Sequence, residues 1–235
     1  VTKDITVDLV RENGCTLPSD PSYSYYKAYG FKDWTITDDE MLYGIFSTYK
    51  YAYSQSTPTV NLRVLAIDVS DDWVWKCVDS YDLSPQYGEY NGISFDRDTG
   101  KIWVVHGQQR RIVSYEFNDN GQFNRGQEMY SFSSGSTSTT ECGKSTSTVH
   151  GLTVHSGFFY MRCMKGSYYQ NTDQLSAWGI SGTSSSLVPQ VGIRDIPVRG
   201  YGLFYDGERL LSVDTGYSTW SSSTLYYREF GMGLT

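Results

Sequence analysis

Apolar and polar residues alternate along most of this chain in short runs, and the runs come in groups. Asn91-Gly92-Ile93-Ser94-Phe95-Asp96 leads through Thr99-Gly100 into Lys101-Ile102-Trp103-Val104-Val105-His106. After a polar loop it continues into Arg111-Ile112-Val113-Ser114-Tyr115-Glu116-Phe117. Such runs, rich in β-branched and aromatic residues and bounded by Gly, Asn, Asp or Ser, predict strands. The same order returns at His150-Gly151-Leu152-Thr153-Val154, Phe158-Phe159-Tyr160-Met161-Arg162-Cys163 and Gln174-Leu175-Ser176-Ala177-Trp178. It returns again at 201–207, 209–213 and 224–228. An earlier, more diverged group places strands over 33–38, 42–47, 61–68 and 73–80. No window carries a sustained helical period; residues 37–46 come nearest, and their β-branched and aromatic content and Gly44 favour strand.

A repeat of about 50 residues with three or four strands per unit is the pattern of a β-propeller. The chain therefore reads as all-β, a propeller of four blades forming a single domain over residues 1–235. The last group runs out at Phe230 with three strands, and Ile5-Thr6-Val7-Asp8-Leu9-Val10 is a strand without a group. Pairing the N-terminal strand into the last blade closes the ring and removes an open sheet edge. Five blades is the alternative, with a short unit between Cys15 and Gly30.

Composition narrows the function classes. Charged residues make up 19% of the chain and aromatic residues 16%, and the net charge is −7. That charge argues against nucleic acid, whose binding relies on Lys and Arg at phosphates, and the locally basic Gln108-Gln109-Arg110-Arg111 is too small for a footprint. No apolar run approaches the roughly 20 residues that span a bilayer, so no membrane insertion is expected. The chain begins at Val1 rather than Met, which reads as a removed leader and hence a secreted, extracellular protein. The four cysteines fit that compartment, with Cys15–Cys77 and Cys142–Cys163 favoured among the three possible pairings. No C-x-x-C pair and no N-glycosylation sequon occurs, and the Ser/Thr-rich stretch 131–149 reads as a connector between blades.

In a propeller the chain enters each innermost strand at the face where the loops between second and third strands emerge. The residues at the start of each first strand are Asp33, Asn91, His150 and Tyr201. The loops are 47–54 with Tyr49 and Tyr51, 106–110 with His106 and Gln108, 164–171 with Lys165, Tyr168 and Tyr169, and 214–221 with Asp214, Tyr217 and Trp220. A Tyr or Trp in a polar loop offers a flat apolar face with a polar tip, which suits stacking on a sugar ring or anchoring a protein. The expected function is accordingly a lectin-like, carbohydrate-binding protein whose partner is a glycan or glycoprotein.

Asp33 and Asn91 supply the hard oxygen ligands that Ca²⁺ takes, and His150 suits a transition metal or a channel water. The Asn91–Asp96 segment followed by Gly100-Lys101-Ile102-Trp103-Val104-Val105 resembles the blade signature of the calcium-containing lactonase and paraoxonase group. It also resembles the olfactomedin domain. The first resemblance implies that Asn91 is a metal ligand and that the alternative function is a metal-dependent hydrolase of lactones or esters. The second implies a disulfide-bonded extracellular propeller with Asp and Asn around a central ion, and hence a protein-interaction or matrix module. Only Asp33 and Asn91 match the expected ligand positions. No Gly-x-Ser-x-Gly elbow occurs, and His106 and His150 form the one candidate acid/base pair. The expectation from sequence leans toward binding rather than catalysis.

Overall fold

The computed structural model describes residues 26–51, 59–71, 76–82, 92–106, 110–132, 141–144, 149–165, 172–180, 186–189, 194–196, 200–205, 208–215 and 225–230. Among them the structure is all-β, with one short 3-10 helix at Glu141–Gly143 and no helix long and apolar enough to cross a membrane. Strands β1 (Tyr26–Ile36), β2 (Met41–Tyr51), β3 (Thr59–Asp68) and β4 (Lys76–Asp82) form one antiparallel sheet in chain order. β5 (Ile93–Asp96), β6 (Lys101–His106), β7 (Arg111–Phe117) and β8 (Phe123–Ser131) form a second. In the third, β9 (Val149–His155), β10 (Phe158–Lys165) and β11 (Thr172–Ile180) are followed by β12 (Leu187–Pro189) and β13 (Arg194–Ile196), both paired with β11. β14 (Gly200–Tyr205), β15 (Leu210–Thr215) and β16 (Leu225–Phe230) make the last. The N-terminal strand expected at Ile5–Val10 lies outside the described residues.

The chain divides into two compact units, Val1–Tyr87 with Glu116–Asn124, and Gly88–Tyr115 with Arg125–Thr235. In the first, Tyr43 of β2 packs on Phe117 and Phe123 with ring centroids 6.3 and 5.5 Å away, and the Phe123 N–H donates to Asp79 Oδ2 at 2.8 Å.

The second unit explains the repeated Gly of the sequence. Strands β5, β9 and β14, the first of their sheets, lie side by side with β9 in the middle. A Cβ at Gly92 would meet Leu152 Cβ at 2.8 Å, and one at Gly151 would meet the Gly202 carbonyl carbon at 2.6 Å and Leu203 N at 2.7 Å. Neighbouring first strands therefore touch backbone to backbone, and the residue at the contact must lack a side chain. One face of the β10–β11 pair buries Phe159, Met161, Cys163 and Trp178 in a core shared with Trp103, Val105 and Ile112. The other buries Tyr160, Leu175 and Ala177 with Leu203 and Leu210. A sheet covered on both faces needs apolar residues in continuous runs, as Phe158–Cys163 shows.

The disulfide Cys142–Cys163, expected from the sequence, ties the 3-10 helix to β10. Cys77 is also disulfide-bonded, and its expected partner Cys15 lies outside the described residues.

Candidate functional site

One residue in the apolar run of β10 breaks the pattern. Arg162 is 0% exposed, so its charge must be met inside the protein, and Asp173 of β11, also 0% exposed, meets it. Arg162 Nε donates to Asp173 Oδ2 at 2.8 Å, Arg162 Nη1 donates to Ser212 Oγ of β15, and Ser212 donates onward to the Gly202 carbonyl at 2.7 Å. The network thus returns to the strand that Gly151 touches.

His150 joins the network through a backbone irregularity. Gly151 pairs with Arg162 and Val149 with Cys163, so His150 is the extra residue of a β-bulge. Regular alternation would put His150 on the side of Leu152 and the apolar core. The bulge gives that side to Val149, which packs with Cys163 and Cys142, and turns His150 toward Asp173. His150 Nδ1 lies 3.4 Å from Asp173 Oδ1, and the imidazole is 6% exposed. Asp173 thus accepts from a guanidinium with Oδ2 and has the imidazole beside Oδ1, close but not hydrogen-bonded to it.

His106, the other histidine of the expected acid/base pair, sits in a different environment. It ends β6 opposite Arg111, is buried, and has Nε2 3.4 Å from the Tyr115 hydroxyl. Burial, then Arg125, then Arg111 pull its pKa down to about 4, so it is neutral at pH 7. The third histidine, His155, stacks on Tyr205 at 4.0 Å and has Nε2 3.0 Å from Ser156 Oγ at a hairpin turn.

No family model and no curated protein matches the chain. Among solved structures it is similar to a luciferin-regenerating enzyme, with TM-score 0.51 and 14% identity over 86% of this chain and 61% of that one. It is also similar to exo-1,5-alpha-L-arabinanase from a bovine ruminal metagenomic library, with TM-score 0.47 and 11% identity over 89% and 75% of the two chains. The periplasmic gluconolactonase of Pseudomonas aeruginosa gives TM-score 0.40 and 10% identity over 78% of each chain. The chain has a propeller-like fold. It spans about three fifths of the length of the luciferin-regenerating enzyme, whose likeness carries the fold alone.

The structure places the other expected site residues as follows. Tyr49 and Tyr51, expected in a loop, lie on β2, where Tyr49 pairs with Ala28 and Val60. Lys165 likewise ends β10 rather than lying in a loop and is paired with Asp195, whose carboxyl is held below its ordinary value by hydrogen bonds from Lys165 and Gln174. Asp214 is on β15, paired with Gly200 and Tyr226. Gln108, Tyr168, Tyr169, Tyr217, Trp220 and Asn91 lie outside the described residues. Asp33, expected before a first strand, lies well inside β1 beside a bulge, and its Oδ1 accepts the Trp34 N–H at 3.0 Å.

Among the described residues no three His, Cys, Asp or Glu side chains converge as metal ligands. Asp173 already holds the Arg162 guanidinium, a cation that competes with any metal for the same carboxylate. The calcium expectation rests on Asp33 together with Asn91, which lies outside the described residues. Sequence reasoning missed Arg162, Asp173 and Ser212. The available signal was a lone Arg inside an apolar strand, which demands a buried carboxylate nearby.

Proposed function

We propose that this protein is a hydrolase of the lactonase or esterase type in which His150, oriented by Asp173, is the general base. The observation that carries the reading is the buried His150–Asp173–Arg162 cluster at a β-bulge, where the bulge turns the imidazole off the Cys142–Cys163 side of the sheet and toward a carboxylate. A bulge that re-aims one side chain is a common device at reactive sites. A carboxylate beside an imidazole nitrogen, here 3.4 Å away, can orient the ring as a base once the contact tightens on substrate binding.

The proposed reaction is simple. His150 Nε2 takes a proton from water as the water oxygen bonds to the ester carbonyl carbon, and Asp173 balances the charge on the ring. The tetrahedral intermediate then expels the alkoxide, which takes the proton back from Nε2; with a lactone, both products stay in one hydroxy acid. Arg162 is a positioning residue. It fixes the carboxylate through its 2.8 Å hydrogen bond.

The Cys142–Cys163 disulfide and the absence of free cysteines among the described residues support an extracellular or periplasmic setting. The test is turnover of a panel of activated esters and small lactones, with p-nitrophenyl acetate and dihydrocoumarin as first probes, with and without chelator. Hydrolysis that falls by about 10²–10⁴ in His150→Gln supports the assignment. Turnover unchanged in that variant overturns it, as does no turnover by the folded native chain. The chelator arm addresses the calcium reading separately, because loss of activity or of thermal stability on chelation would point to Asp33 and Asn91. Glycan binding without hydrolysis would return the carbohydrate-binding reading to first place.

A further inference from the structure

A second cluster lies on the β6–β7–β8 part of the second unit and takes no part in the proposed hydrolysis. Arg111 at the start of β7 and Arg125 on β8 are both exposed, and both aim their guanidinium groups at one atom. Arg111 Nη1 is 3.7 Å and Arg125 Nη2 3.4 Å from Met129 Sδ. A thioether sulfur is a weak acceptor and carries no charge, so it neutralises neither group. Neither guanidinium has a carboxylate partner among the described residues. The acid next to Met129, Glu128, is taken by Lys101 and by the Tyr130 hydroxyl. In a chain of net charge −7, two such cations held side by side are an exception that calls for an anion.

The field of the pair also reaches inward. Arg125 and Arg111 are the two charges that depress the pKa of the buried His106, so positive potential converges on one spot at the end of β6. His106 and Tyr115 lie beneath it, 3.4 Å apart.

We propose that Arg111 and Arg125 form a binding site for a tetrahedral oxyanion, phosphate or sulfate, with Met129 as the floor between them. Guanidinium groups match such oxygens through paired N–H donors, and two of them converging on one point can share a single dianion. The anion would come either as the free ion or as the terminal group of a monoester, and both sources offer the same oxygens.

The test is calorimetric titration of the whole chain with inorganic phosphate, inorganic sulfate and phenyl phosphate at low ionic strength. Alongside it, the His106 ring protons are followed by NMR across pH. Saturable binding is expected, weakened at least tenfold in Arg111→Gln or Arg125→Gln and abolished in the double variant. Saturating phosphate is also expected to raise the His106 pKa in the native chain and to leave it unmoved in the double variant. Binding of phenyl phosphate assigns the site to monoesters, and its exclusion while phosphate binds assigns it to the free ion. Should a variant fail to fold, phosphate-induced shifts of the Arg111 and Arg125 side-chain N–H signals in the native chain decide the question. No saturable binding of any of the three probes, or full binding by the double variant, overturns the proposal.

Discussion

His106 and His150 are both buried in the same unit, and their surroundings are opposite in sign. His106 sits near two arginines with its Nε2 3.4 Å from a tyrosine hydroxyl, and its pKa falls to about 4. His150 sits 3.4 Å from a carboxylate that is itself anchored by a buried guanidinium. Equal burial therefore gives two different chemical objects. One is a ring that burial and two guanidinium groups keep neutral, and the other is a ring placed beside a buried carboxylate. The sequence made the two histidines an acid/base pair on the grounds that both fall near one face. The structure assigns them to separate electrostatic environments, with His150 next to a buried carboxylate and His106 near two guanidinium groups.

The largest expected effect comes from removing the group that makes His150 different. Asp173→Ala leaves Arg162 buried without its carboxylate, which costs about 3–5 kcal/mol. Urea denaturation of the variant measures the loss. Replacing both partners, Arg162→Met with Asp173→Leu, is expected to recover most of that stability, because well-packed apolar side chains replace a buried ion pair at little cost. Hydrolysis should not return with it. A double variant that regains stability but not activity shows that the pair is kept for chemistry. An Asp173→Ala cost within about 0.5 kcal/mol would put this carboxylate among surface-like positions and end the contrast.

The His106 side of the comparison is read through pH. Its folded pKa lies below the ordinary value of 6.5, with burial the largest cause and Arg125 and Arg111 following. Below pH 6.5 the unfolded chain takes up a proton that the folded chain refuses until about pH 4. Stability contributed by the neutral ring is thus complete above pH 6.5 and falls as the pH drops toward 4, levelling below that. Linkage sets the loss on the order of 3 kcal/mol. His106→Gln should flatten the stability profile in that window, as measured by denaturation midpoints at pH 4.5 and 7. An unchanged slope would mean that His106 titrates normally and that burial and the two arginines leave it unperturbed.

Much of the scaffold was legible because its signals are local. β5, β6 and β7, and then β9, β10 and β11, alternate cleanly between turn residues, and the structure places them within a few residues of the expected bounds. β8 was not legible, since Phe123 is its one fully buried residue and the rest reads as a polar loop that backbone pairing turns into an outer strand. β1 starts at Tyr26 rather than at Asp33, because the Lys and Gly in that stretch weaken the alternation. The site was half legible. His150 stood out by its place before a repeated Gly, but Asp173 and Arg162 become its partners only through strand register and one bulged residue, neither of which a single sequence encodes locally.

That repeated Gly gives the smallest and sharpest test. Gly151 lies between the bulged His150 and Leu152, and a methyl group there would stand 2.6 Å from the Gly202 carbonyl carbon and 2.7 Å from Leu203 N. Both are backbone atoms, so no side-chain rotation relieves the contact, and β9 must move away from β14. Gly151→Ala is expected to cost about 1–3 kcal/mol by overpacking. Its sharper consequence is directional. A displaced β9 carries His150 away from Asp173, whereas His106, on β6, keeps its neighbours. Hydrolysis should therefore fall by more than the stability loss accounts for, while the His106 pKa measured by NMR stays where it was. If both histidines shift together, the two environments are coupled through the packed first strands, and the contrast between them is a property of the whole unit rather than of the bulge.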